Sequence, residues 1–300
     1  MSFSIDNAHV QAFSETLFFE AQQRMSRTRA HCTVESGVVG ESKSYDRIGG
    51  SEMVEITDRH GDTPFTPVDH TRRRLFLRDY DWNELVDDAD KLKTIIQPEN
   101  AYTKAGAMAA GRRMDDTVFA ALDGTADTWT KSGGGGTAAF AAGQIVAVDY
   151  IEDGSAVNSN MTVAKMREAR RLFLTNEVPE FEPLTMSMSG SNLMALMRDD
   201  EVTSADYSTL NALMRGDITG ANFMGFHMIH SERQTLTGNN RHVLAWSRRG
   251  CQLSFAKDVT GRVSERDDKR YSLQVYFAMS LGAVRMDELE VVRILADETA

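Results

Sequence analysis

Asp62-Thr63-Pro64-Phe65-Thr66-Pro67-Val68-Asp69-His70-Thr71-Arg72-Arg73-Arg74-Leu75-Phe76-Leu77-Arg78-Asp79-Tyr80-Asp81-Trp82-Asn83-Glu84-Leu85-Val86-Asp87-Asp88-Ala89-Asp90 is the stretch on which the reading of this chain turns. Its prolines punctuate a turn. On either side, Ser51 to His60 and Thr71 to Tyr80 carry the Val, Ile, Thr, Phe and Leu content of strands, which predicts an extended β-hairpin. A two-stranded ribbon is marginal by itself in water. This one is dense in charge of both signs: Arg72, Arg73, Arg74 and Arg78 run into Asp79, Asp81, Glu84, Asp87, Asp88 and Asp90. A long charged ribbon with little to bury in its own domain is expected to lie on another subunit, with Phe65 at its turn as an apolar contact.

The rest of the chain sets bounds. With 300 residues, 41% of them hydrophobic, it can build one large or two smaller cores. A formal charge of -11 speaks against a nucleic-acid-binding surface, which needs clustered Lys and Arg. Cys32 and Cys251 are distant in sequence and the N-terminus shows no export signal. A reducing cytosol without a disulfide framework is the expectation. No apolar run approaches the roughly 20 residues of a membrane helix, so no membrane role is expected.

Along the chain, Asp6 caps a predicted helix reaching about Met25, with Val10, Phe13, Leu17, Phe18 and Ala21 on one face. Pro98 to about Leu122 reads as the longest helix, with Pro at its first position and Gly124 past its end. Gly106 and Gly111 interrupt its stripe and suit a close approach of other chain. Lys131 to Gly143 reads as a flexible connector; it lacks the Lys-Ser/Thr pair that a phosphate-binding loop requires after its glycines. A strand is expected near Gln144 to Tyr150, then a helix from Thr162, as N-cap, to about Asn176, and a strand near Pro183 to Ser189. Helices follow around Ser191 to Met197 and Ala205 to Met214. The remainder reads as strands at Phe226 to Ser231, Arg241 to Ser247, Arg262 to Glu265, Tyr271 to Val284 and Glu290 to Ala296.

Candidate chemistry is thin. His60 and Asp62 with Asp69 and His70 offer a carboxylate and imidazole set around one turn, the basis for weighing a metal-dependent hydrolase. Such a site needs a fixed scaffold, and a projecting proline turn is a poor one. His227 and His230, three apart on a strand, point to opposite faces. With His242 they read as core or interface histidines. Nothing marks a nucleophile elbow. Met186, Met188, Met194, Met197 and Met214 read as an adaptable core. No catalytic residue, metal or cofactor is expected.

Several short segments, in order and spacing, resemble tailed-bacteriophage major capsid proteins of the Hong Kong 97 fold. They are Gln22-Gln23 with Ser26-Arg27-Thr28-Arg29, Asp62-Thr63-Pro64, the arginine run, Asp79-Tyr80-Asp81-Trp82 and Arg112-Arg113-Met114-Asp115-Asp116, then Thr203-Ser204-Ala205-Asp206-Tyr207, Phe223-Met224-Gly225-Phe226 and Val263-Ser264-Glu265-Arg266-Asp267-Asp268. The likeness covers nearly the whole chain. It implies an α+β fold with an N-terminal arm (1–35), a projecting hairpin or E-loop (36–90), a P-domain (91–142 and 253–288) with a spine helix at about 98–123, and a mixed α/β A-domain (143–252 and 289–300). It also implies pentamers and hexamers tiling an icosahedral head around a DNA genome, assembled in the host bacterial cytoplasm. The expected partners are other copies of the chain, a portal, a decoration or cement protein, and DNA enclosed without sequence-specific binding. Because the predicted arm helix begins almost at Met1, a separate scaffolding protein is expected instead of a cleaved N-terminal extension. An encapsulin-like nanocompartment shell shares the fold and stands as the alternative. The expected contact residues are Phe65, Arg72, Arg73, Arg74, Arg78, Asp79, Asp81, Glu84, Asp87 and Asp88.

Overall fold

In the computed structural model, residues 22–55, 61, 65–86, 98–130, 134–152, 154, 156–198 and 222–299 are described. The arm helix up to residue 21, the proposed helix at Ala205 to Met214, and Asp62, Asp87 and Asp88 fall outside them. Within them the fold is mixed α/β. Its organising element is the spine helix α1 (Pro98–Asp123), whose bounds are within a residue of the expected ones.

One face of α1 lies across a four-stranded sheet ordered β1 (Thr33–Ser36), β13 (Cys251–Arg266), β14 (Ser272–Arg285) and β4 (Arg78–Val86). Val118, Phe119 and Leu122 of the helix are buried with Leu253, Phe255 and Leu281 of the sheet. Glycine at 106 and 111 is what permits this closeness. A Cβ at Gly106 would stand 2.5 Å from the Phe277 ring and 2.8 Å from that of Trp82, and one at Gly111 would stand 2.8 Å from the backbone nitrogen of Ser26. Each glycine costs the helix about 1 kcal/mol relative to alanine.

A seven-stranded sheet forms the second body, ordered β7 (Ile145–Val146), β15 (Val291–Asp297), β12 (Asn240–Ser247), β8 (Leu184–Met188), β10 (Phe226–His230) and β9 (Asn222–Phe223), with β11 (Leu236–Thr237) on β12. Helices α2 (Val163–Thr175) and α3 (Gly190–Arg198) contribute Met166, Phe173 and Leu196 to its core. Strand β12 serves two cores because its side chains alternate. Val243 and Ala245 pack with α2 and α3, whereas Leu244 and Trp246 pack with α1. That explains its unbroken apolar run. Met186 and Met188 are buried here as expected, but Met194 is exposed and Met214 lies outside the described residues.

The third sheet is ordered β2 (Ser42–Ile48), β3 (His70–Phe76), β5 (Ala126–Trp129) and β6 (Gly135–Ala138). It corrects three expectations. The ascending strand of the hairpin is Ser42–Ile48, not Ser51 to His60; residues 51–55 are not strand. Ser-Lys-Ser-Tyr-Asp-Arg-Ile has too little apolar content to announce itself, and it is selected by pairing with the arginine strand. The descending strand also breaks at Leu77, after which β4 leaves for another sheet. Part of the supposed connector, Gly135–Ala138, is strand β6 paired with β5.

Other departures are local. Gln22 to Met25 are not helical. The expected strand at Gln144 to Tyr150 shrinks to β7, because a turn closed by Tyr150 N–H donating to the Ala147 carbonyl ends it. The expected strand at Arg262 to Glu265 is the distal end of the much longer β13, whose exposed middle, Ala256 to Gly261, is carried through two bulges by its partner β14. Cys32 and Cys251, distant in sequence, are buried side by side at the start of β1 and β13. Their mutual hydrogen bond and burial push the Cys32 thiol well above its ordinary pKa.

Candidate subunit-contact site

The spine helix is gripped by polar contacts at two places. Near its middle, buried Asp115 gathers the incoming chain: its carboxylate accepts from Ser26 Oγ at 2.6 Å, Thr28 Oγ1 at 2.7 Å and the backbone N–H groups of Arg27 and Thr28 at 3.1 Å, and also from Gln23 Nε2. A carboxylate with this many donors is an anchor, since the donors replace the water it loses. At the C-terminus, buried Arg285 donates through Nη1 to the carbonyls of Leu122 at 2.7 Å and Gly124 at 2.6 Å. Those are the acceptors a helix end leaves unpaired, and the cation meets the negative end of its dipole.

The hairpin's arginines are sorted by strand alternation. Arg73 and Leu75 turn inward, and Arg72 and Arg74 lie on the other face. Arg73, only 5% exposed, pairs with Glu288 and donates to the Met286 carbonyl at 3.3 Å. Burial pulls its guanidinium pKa down, against the Glu288 carboxylate. Arg72 pairs with Asp46, its cross-strand neighbour. Arg74 lies over the rings of Phe76 and Trp129, 4.6 and 4.4 Å from their centres, and donates to Ser42 Oγ at 2.9 Å. The segment thus ties the hairpin to its own chain before any neighbour arrives.

Arg78, Asp79, Asp81 and Glu84 stand exposed on β4, without an ion-pair partner among the described residues. Phe65 is 99% exposed. The other singled-out histidines are dispersed. His227 stacks on His31 with ring centres 4.7 Å apart, His230 Nε2 lies 3.1 Å from Glu232, and His242 Nδ1 lies 3.0 Å from Asp123. His60 and Asp62 of the hydrolase set lie outside the described residues. Sequence reasoning passed over Asp115, Arg113 and Arg285 as functional positions. The helical spacing of polar residues within Arg112 to Asp116 was the available signal for the first two.

Comparison with known proteins gives a consistent result. A family model described as phage capsid protein matches residues 5–298. Among solved structures, the capsid of cyanophage P-SCSP1u matches with a TM-score of 0.74 at 12% identity, over 97% of this chain and 93% of that one. The capsid of Ralstonia phage GP4 matches with a TM-score of 0.72 at 11% identity, over 99% and 97%. Mycobacterium phage Che8 matches with a TM-score of 0.65 at 17% identity, over 97% and 98%. No curated protein sequence matches. Neither a nanocompartment shell nor a hydrolase finds support in these matches. With a whole-chain family match and this fold, the chain belongs to the phage capsid protein family and is a structural, non-enzymatic protein of the virion.

Proposed function

We propose that this protein closes into pentamers and hexamers that tile an icosahedral head around packaged double-stranded DNA, using the hairpin and the β4 edge as its contacts between copies. The observation that carries this reading is the exposed charge of Arg78, Asp79, Asp81 and Glu84, without an ion-pair partner among the described residues, beside a hairpin whose turn exposes Phe65. Phe65, Arg72, Arg74 and that β4 group are the contact residues, together with Asp87 and Asp88. Arg73 supports them from the inside.

The body around the first sheet and α1 is the P-domain of this reading, the body around the seven-stranded sheet its A-domain, and the third sheet the base of its E-loop. Contacts made of long polar side chains re-pair more easily than an apolar core repacks. They tolerate the differing settings of pentamer and hexamer and leave curvature loosely specified. A separate scaffolding protein and a portal are therefore partners in this reading, with a decoration protein over the finished shell and the host bacterial cytoplasm as the place of assembly. Co-expression with candidate scaffolding protein followed by electron microscopy tests it. Closed particles of uniform diameter are expected; monomer alone by light scattering under those conditions would refute it.

A further inference from the structure

Residues 23–32 form a strap that crosses α1 and then the seven-stranded sheet before entering β1, and histidines sit where it is fastened to that sheet. On α1 it passes so close that Gly111 leaves no room for a Cβ, and Asp115 accepts from its Ser26 and Thr28 hydroxyls. On the sheet it meets β10. Arg27 Nη1 lies 2.7 Å from His230 Nδ1 and also donates to the His230 carbonyl. Further along, the His31 ring stacks on that of His227, with centres 4.7 Å apart and planes at 28°. Trp246 of β12 donates its indole N–H to the His31 carbonyl at 3.0 Å.

Both contacts with β10 require uncharged imidazoles. A guanidinium has only donors and stays protonated, so His230 Nδ1 must accept. That places the ring's one proton on Nε2, 3.1 Å from Glu232 Oε1. A second proton would go on Nδ1, remove the acceptor and set one cation against another. Glu232 offsets this only in part, because it already accepts from the Gly190 N–H at 2.6 Å and lies 3.6 Å from the Arg241 guanidinium. The stacked pair has less help still. The polar neighbour of His31 Nδ1 is the Thr185 hydroxyl at 3.2 Å, and neither ring has a carboxylate within ion-pair distance among the described residues. Arg248 adds a like charge, so a proton on both rings meets repulsion from three sides. On α1, Asp116 is engaged by Arg233 at 3.0 Å and Asp115 by the strap's own donors. Arg29 pairs with Asp258 of β13, a contact without an imidazole.

We propose that the strap is an acid-released fastening: when His31, His227 and His230 take up protons, residues 23–32 leave α1 and β10 while the body beneath stays folded. The direction follows from linkage. Burial first, then His227 and Arg248, hold the His31 pKa below its ordinary value when the strap is docked. The undocked ring binds a proton more readily, so docking is intact above the ordinary histidine value of about 6.5 and weakens as pH falls through it. The event belongs to a single chain and stands apart from the shell reading. In a shell it would free the root of the N-terminal arm.

Amide exchange of the unassembled full-length chain between about pH 7.5 and about pH 5.5 tests it, a window that spans imidazole titration and stays above the ordinary carboxylate range. Rates are corrected for the intrinsic pH dependence of exchange, with α2 as the internal reference. Exchange at residues 26–32 should accelerate relative to α2 by at least about tenfold, the effect of one unit of pKa difference in one histidine. His227→Phe keeps a ring in the stack and His230→Gln keeps an acceptor for Arg27, and neither replacement titrates. The double variant should therefore lose most of the acceleration while matching wild-type protection at about pH 7.5. A strap that stays protected in wild type, or one that loosens equally in the double variant, would overturn the proposal. Loosening of α2 in step with the strap would overturn it too, since that is general acid unfolding. Should the double variant fail to fold, His230→Gln alone serves at its partly exposed site, where a smaller acceleration is expected and an undiminished one refutes the role of His230.

Discussion

Lys165 offers the sharpest perturbation of the fold. Its side chain is fully buried on α2 with no carboxylate partner among the described residues, and its ammonium lies within hydrogen-bonding distance of the carbonyls of Ser159 at 2.6 Å, Val148 at 2.7 Å, Leu295 at 3.0 Å and Asn160 at 3.1 Å. It therefore staples residues 148–160 to α2 and to β15. Burial lowers its pKa to about 8, against weaker pulls upward from Asp149 and Asp297. Lys165→Met keeps the length and removes the staple. Of the acceptors left behind, Val148 and Ser159 retain backbone donors at 3.1 Å. An unsatisfied buried acceptor costs about 1–3 kcal/mol, and removal of the buried charge returns part of that, so a net loss of about 3 kcal/mol is expected at pH 7. For a chain of this size that lowers Tm by about 6–12 °C.

The sign of the pH dependence is the stricter check. A folded pKa of about 8 below an unfolded value near 10.5 means that the unfolded chain binds more protons between them. Native stability from this group accordingly rises with pH across that window, by about 3 kcal/mol at roughly 1.4 kcal/mol per unit. The gap between wild type and Lys165→Met should widen from pH 8 to pH 10. Taking the difference cancels other titrations, including that of Tyr45, whose phenol burial pushes up to about 12. Thermal melts of unassembled protein at fixed concentration measure it, since assembly adds its own concentration-dependent stability. A variant melting within about 1 °C of wild type would refute the staple, and parallel pH curves would refute the buried charge.

Asp115→Asn should free residues 23–28 from α1 at a cost of about 2–4 kcal/mol, with amide exchange at Arg27 and Thr28 accelerating while α2 is unchanged; unchanged exchange there would contradict the anchor. Cys32 and Cys251 should resist alkylation at pH 8 in the native protein, because burial and their mutual hydrogen bond keep the Cys32 thiol protonated, and both should react in urea. Rapid native labelling would contradict that packing. The hairpin's one lysine, Lys43, lies near its base on β2 and pairs with Glu35, and no lysine lies between it and Lys91, so the distal hairpin offers no lysine nucleophile for a cross-link to a neighbouring subunit. Particles boiled in denaturant should give a single monomer band, and a ladder would show otherwise.

What the sequence disclosed follows from which forces are local. The bounds of α1 and the Thr162 cap, whose Oγ1 accepts from the Lys165 N–H at 3.4 Å, are set by residues within a turn of each other and were legible. So were β8, β12 and β15, whose apolar runs record burial on both faces. Strand β2 and strand β6 were not, because Ser-Lys-Ser-Tyr-Asp-Arg-Ile and Gly-Gly-Thr-Ala are strands only in virtue of the partners that β3 and β5 present. The Asp115 anchor escaped for a similar reason: its donors lie almost ninety positions away, and a carboxylate on a polar helix segment reads as solvated until the chain that covers it is placed.

The arginine run, expected to reach outward, also has partners within its own chain. Density of charge suggested that all of Arg72 to Arg74 reach outward to neighbours. In the folded chain Arg73 is committed to Glu288, Arg72 to Asp46 and Arg74 to Ser42 and two aromatic rings. A neighbour gaining Arg72 must either displace Asp46 or share the guanidinium, and an exchange of one exposed pair for another gains little in water. Reversing Arg72 to Glu would also set two carboxylates opposite each other on the hairpin itself, so a loss of particles from that change would report damage within one copy. Arg78 has no such partner among the described residues, and the acidic Asp79, Asp81 and Glu84 follow it along an edge strand that nothing in its own sheet covers. Unspent charge on an open edge is where contact between copies gains most, because no internal pair has to be broken first. In the proposed shell, strength then comes from repetition of such a contact between copies.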